Sequence, residues 1–216
     1  MGKDSTLKIR AFFAIVTIVT GWLFFVPAGC VAAEGGPMAT VKSTVNQAMP
    51  ILRDRQTPLA ERQDALRKII AANFDFKAMS RSAMGRHWRD ITSAQQDEFT
   101  KQFVAFIEDA YLSKINDFRA QQVSFLKMTK DPDDPGYAQV DTSVSQQDAD
   151  PIQINYRLLQ EPDNTWRIYD VTVDAISIIL NYRNQFDRMM NNQGFDALIA
   201  ALKSKQQSLS ESLVNH

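Results

Sequence analysis

Between Phe74 and Tyr111 the sequence FDFKAMSRSAMGRHWRDITSAQQDEFTKQFVAFIEDAY carries more large apolar side chains than a water-facing helix can leave uncovered. Phe74, Phe76, Met79, Met84, Trp88, Phe99, Phe103, Phe106, Ile107 and Tyr111 recur at helical spacings, separated by Arg, Gln, Asp and Glu. The rings must be buried. Two ways of burying them stay open: an ordinary packed core, or a core left partly unfilled so that an apolar ligand completes it.

The flanking segments set the fold class. Val41 to Leu52 is weakly helical and interrupted at Pro50. Thr57-Pro58 reads as a helix start, with Thr57 as N-cap and Glu61 near the positive end of the dipole. Asp75 caps a further helix that Gly85 ends, and Thr92 with Gln95 forms a capping box for a long helix running to about Phe118. The period then becomes two. Four strands are expected: one around Val123 to Met128, one over Tyr137 to Ser145, one carrying Ile152, Ile154, Tyr156 and Leu158, and one over Thr165 to Val173. The apolar phase slips between Ile168 and Val171, which predicts a bulge or bend there. Helical spacing returns after Asp174, with a break at Gly194. Helices before and after a run of strands give an α+β fold, helices grouped over one face of an antiparallel meander.

The first 33 residues read as an address rather than as part of that fold. Lys3, Lys8 and Arg10 precede the apolar run Ala11 to Val26, and Val31-Ala32-Ala33 offers small residues for cleavage after Ala33. The run is shorter than the roughly 20 residues of a membrane span. Cys30, the single cysteine, follows Ala-Gly as at a lipoprotein site, but Pro27 argues against that reading. Residues 34–40 are a mobile lead-in, 41–205 the domain, and 206–216 a polar tail. Without 1–33 the chain holds 21 basic and 24 acidic residues, a balance unsuited to nucleic acid.

Chemistry is sparse. His87 and His216 are the only histidines, too few for a His/Cys metal site, and His87 reads as a junction residue. Asp131, Asp133 and Asp134 are spaced by prolines in a way that suits a solvated turn, not a calcium loop. No phosphate-binding glycine motif occurs. No catalytic residue, cofactor or metal is expected.

Two blocks carry a resemblance. The first is Phe74-Asp75-Phe76 through Met79-Ser80-Arg81, Gly85-Arg86-His87-Trp88-Arg89 and Thr92 to Phe103. The second is Trp166 to Val171, Ile176-Ser177, Asn181-Tyr182-Arg183, Gln185-Phe186 and Gly194 to Ile199 with Leu202. Over roughly Val41 to Lys205 the chain resembles the MlaC family, periplasmic phospholipid-binding shuttles of the Mla pathway, also described as toluene-tolerance auxiliary proteins. Asp174-Ala175 stands where the family pattern suggests Glu-Gly.

The resemblance implies a curved four-stranded antiparallel sheet that encloses an apolar pocket with its helices. It implies a non-enzymatic monomer in the periplasm of a Gram-negative bacterium. Its ligand would be a phospholipid. Its partners would be an outer-membrane lipoprotein complex and an inner-membrane ABC transporter with a hexameric lipid-binding ring. The candidate lipid-binding residues are Val140, Ile154, Tyr156, Leu158, Ile168, Val171 and Val173 on strands, with Phe76, Met79, Trp88, Phe103 and Phe106 on helices. Arg81, Arg89 and Arg183 are candidates for headgroup or partner contact. An adaptor subunit of an envelope transporter, a carrier of another envelope lipid such as a hopanoid, and a small pocket hydrolase or isomerase remain as alternatives.

Overall fold

The computed structural model describes residues 35–113, 120–146 and 149–214. The address segment expected over 1–33, Cys30 included, lies outside them, as does His216.

Helix α1 spans Pro37–Arg53. It starts inside the stretch read as a lead-in, because Pro37 fits a first turn that needs no N–H there. Pro50 does not interrupt it: the helix continues one more turn, and Asp54 N donates to Pro50 O at 3.0 Å. Burial of Val41, Val45 and Met49 on one face holds it in place. Helix α2, Leu59–Asn73, starts without the expected Thr57 cap. Asp54 takes over instead, its Oδ1 accepting from Gln56 N at 2.7 Å and Thr57 N at 3.2 Å.

Helix α3 is Phe76–Met84, capped by Asp75 Oδ1 accepting from Ala78 N at 2.9 Å. At Gly85, φ is +58°, which ends α3 and opens a 3-10 segment, Gly85–Arg89. Helix α4 is Ser93–Leu112 with the capping box complete: Thr92 N donates to Gln95 Oε1 and Gln95 N to Thr92 Oγ1. It stops at Leu112, short of Phe118; residues 114–119 lie outside the described chain. Helix α5, Ile178–Val214, is broken at Gly194, where φ is +81°, and its helical backbone extends past Lys205 into the stretch read as a tail.

The sheet has five strands in the order β1 (Ala120–Lys130), β2 (Tyr137–Gln146), β3 (Ala149–Gln160), β4 (Trp166–Val173) and β5 (Ile176–Ser177), each antiparallel to its neighbour. One more strand forms than expected. Asp174 and Ala175, with φ of +44° and +66°, make a two-residue turn that folds Ile176 back onto Val173. Two residues are too few for a periodic signal.

Pairing slips at four places, two of them well inside the strands. Leu126 in β1 and Tyr169 in β4 have no partner in the register, so each is a bulge that bends its strand. The second is the phase slip between Ile168 and Val171. These bends curve the sheet without closing it. The outer edge of β4 is met by Phe74, which bridges Ile168, and Asp75 N donates to Ile168 O at 2.9 Å.

Two large apolar clusters result. One joins α1 to the strands through Val41, Val45, Met49, Val140, Leu158 and Ile168. The other joins α3, α4 and α5 around Phe99, Phe103, Phe186 and Leu198. Strands β3 and β4 feed both: Leu158 and Ile168 enter the first, Leu159 and Tyr169 the second. Phe74 packs against each.

Candidate functional site

The seven candidate strand residues come together in three adjacent rungs. Leu158 pairs with Ile168. In the next rung Val140 pairs with Tyr156, which pairs with Val171. In the third, Ile154 lies between Thr142 and Val173. Period-two geometry puts all of them on one face.

Burial changes along this face. Leu158, Ile168 and Val140 are 0% exposed, whereas Tyr156, Val171, Ile154 and Val173 keep accessible surface. The interior is therefore sealed at the Leu158–Ile168 end and accessible at the Ile154–Val173 end. Tyr156 shows the same gradient in its chemistry. Burial pushes its phenol up to about 12, opposed by a hydrogen bond with the Thr142 hydroxyl. Thr142 Oγ1 itself donates to Ile154 O at 2.8 Å, so a polar side chain on this face is satisfied internally.

Of the candidate helix residues, Met79, Trp88, Phe103 and Phe106 are buried in the second cluster, and Phe76 packs against it. Phe103 is 1% exposed, stacked on Phe99 at 5.4 Å and edge-on to Phe186 at 5.4 Å. Those contacts are with the protein's own rings. The structure thus separates the candidate set into a strand face and a helix group, and Phe74 is the residue that touches both clusters.

Sequence reasoning passed over the α1 side of the strand face. Val41, Val45, Met49 and Leu52 lie over it, spaced at i, i+4, i+8 and i+11. That stripe is a helical signal, and the expected break at Pro50 obscured it. Leu52 also packs in a third, smaller cluster around Leu66 and Leu112, which ties α1 to α2 and α4.

Arg81, Arg89 and Arg183 line a different place, an open recess of about 1280 Å³ bounded by α3, the 3-10 segment and α5. Arg183 Nε donates to Ser82 O at 2.6 Å and lies against Gly85, where an added Cβ would come within 3.3 Å of it. His87 sits at the junction as expected, its Nε2 3.0 Å from Asp187 Oδ1. The Asp131–Gly136 turn is held by its own first carboxylate: Asp131 Oδ1 accepts from Asp133 N and Asp134 N. Among the described residues no group of three or more His, Cys, Asp or Glu is arranged to hold a metal ion.

The family model for the MlaC protein matches residues 42–204. A curated relative from Haemophilus influenzae, the intermembrane phospholipid transport system binding protein MlaC, is 19% identical over 214 residues, covering 96% of this chain and 97% of its own. A solved structure of a phospholipid-binding protein from Ralstonia solanacearum, in complex with a phospholipid, is 26% identical with a TM-score of 0.70, covering 80% of this chain and 98% of that one. The chain belongs to the MlaC family.

Proposed function

We propose that this MlaC-family chain is a non-enzymatic periplasmic phospholipid carrier, holding acyl tails against the face of Tyr156, Val171, Ile154 and Val173. The observation that carries the reading is the Ralstonia solanacearum structure, which shares the fold and contains a phospholipid. The gradient from sealed to accessible apolar surface in this chain supports it, because tails need a dry end to fill and an open end to enter.

The energetics fit a shuttle. Each methylene moved from water gives about 0.8 kcal/mol, so two tails with roughly thirty would gain of order 20 kcal/mol. In a membrane those tails are already dry. The carrier must therefore match the membrane rather than beat it, which apolar contacts achieve without strong polar anchors. Lipid would pass between an outer-membrane lipoprotein complex and an inner-membrane ABC transporter with a hexameric lipid-binding ring. An export signal over 1–33 would deliver the chain to the periplasm.

Organic extraction of the purified protein followed by mass spectrometry tests the reading. Diacyl phospholipid near one molecule per chain is the expected result. A protein that neither retains nor takes up phospholipid from vesicles would end the carrier proposal and favour an adaptor role.

A further inference from the structure

Five guanidinium groups surround the recess between α3, the 3-10 segment and α5. Arg81 comes from α3, Arg86 and Arg89 from the 3-10 segment, and Arg183 and Arg188 from α5. Only two carboxylates, Asp90 and Asp187, share the recess lining. Asp187 is committed, 3.0 Å from Arg86 Nη2 and 3.0 Å from His87 Nε2. Arg183 is held by Ser82 O. Arg81, Arg89 and Arg188 are exposed, and none has a carboxylate partner among the described residues. The chain as a whole carries a net charge of −1, so this positive surplus is local and not a general property of the surface.

Like charges gathered at one concavity repel each other unless a partner neutralises them. Guanidinium groups present paired donors that match carboxylates fork to fork. The shape narrows the partner further. A flat lipid surface meets a flat or convex basic face, whereas these arginines ring an open hollow with Trp88, Tyr137 and Met84 among its lining. A hollow of about 1280 Å³ is larger than a single phosphate group and suits a projecting stretch of polypeptide. We propose that the arginine-ringed recess of α3, the 3-10 segment and α5 is a docking site for an acidic, Asp/Glu-bearing segment of a partner protein. The inference rests on the carrier reading only in supposing that the protein meets partners; the recess is separate from the strand face described above.

The test uses a fluorescein-labelled decapeptide of alternating Asp and Glu, followed by fluorescence anisotropy in 50 and 300 mM salt. Wild-type protein binds it, more weakly at the higher salt. The triple variant Arg81→Glu, Arg89→Glu, Arg188→Glu binds at least tenfold more weakly. A control with the same change in net charge on exposed lysines elsewhere, Lys68→Glu, Lys101→Glu, Lys205→Glu, binds as wild type. Failure of wild type to bind, equal binding by the arginine variant, or equal loss in both triple variants overturns the proposal. Arginine-dependent binding to phosphatidylglycerol vesicles without peptide binding also overturns it, in favour of a membrane face. Extracted phospholipid is measured in every variant. It stays at the wild-type level in the arginine variant, which separates loss of docking from loss of carriage.

Discussion

Ser177 Oγ donates to Asp170 Oδ2 at 2.7 Å, and the same hydroxyl accepts from Leu180 N at 3.0 Å. Asp170 is 1% exposed and its Oδ1 also accepts from Ile179 N at 3.2 Å. One buried carboxylate on β4 thus ties down the first turn of α5, with Arg157 3.8 Å away. Removing it strands a hydroxyl and an N–H. Asp170→Ala is expected to lower the unfolding free energy by about 3 kcal/mol, because bonds to a charged, buried acceptor are lost together. Chemical denaturation measures this; a loss below about 1 kcal/mol would show that water replaces the carboxylate.

Ala175 occupies a left-handed turn position at φ +66°. An L side chain there costs roughly 1–2 kcal/mol, against a smaller entropic cost of glycine in the unfolded chain. Ala175→Gly is therefore expected to raise stability, by about 0.5–1 kcal/mol net. A lower melting temperature in the glycine variant would contradict the turn assignment.

Phe103 is packed among the protein's own rings, whereas Val171 keeps accessible surface. Phe103→Ala is expected to cost about 3–5 kcal/mol, as for a buried ring with no room to collapse. Val171→Trp adds bulk on the accessible rung and is expected to leave the fold intact by circular dichroism while at least halving extractable phospholipid. Unchanged lipid content would remove Val171 from the lining.

Three carboxylates converge on Arg67: Asp64 at 3.1 Å, Asp109 at 2.9 Å and Glu108 at 3.7 Å. Glu108 is the poorest placed. Burial raises its pKa above the ordinary 4.5, Arg67 opposes the rise and Asp109 adds to it. A raised carboxyl pKa means the folded state holds the proton more tightly than the unfolded chain. Its contribution is thus fully present below pH 4.5 and is lost as pH climbs through the folded value. Glu108→Gln is expected to flatten that decline, measured as denaturation midpoints at pH 4.5 and 7. A variant with the wild-type pH profile would show that Glu108 carries none of it.

Local signals were legible where a few neighbouring residues decide the outcome. Asp75, the Thr92–Gln95 pair, Gly85 and Gly194 do what their types suggest, because caps and breaks are set within a turn. The slip between Ile168 and Val171 became the Tyr169 bulge, since alternation records which face each side chain takes. Decisions made by distant contacts were not legible. Pro50 stays helical because Val41, Val45 and Met49 find a sheet to cover. The division of the candidate residues between two clusters depends on how β3 and β4 share their alternate side chains. The arginine recess joins residues about a hundred positions apart, as in the Arg183–Ser82 bond, and no window along the chain would group them.

At high protein concentration the edges of the sheet govern whether copies can pair. Part of β4 is occupied by the Phe74 bridge and part by β5, so among the described residues β1 is the strand with one long side unpaired. An unpaired side invites another molecule to add a strand and begin a fibril. Here the extra residue at Leu126 interrupts the ladder, and Lys127 and Lys130 put like charges along the same strand. Self-association through this edge would have to cross both a mismatch in hydrogen-bond spacing and mutual repulsion.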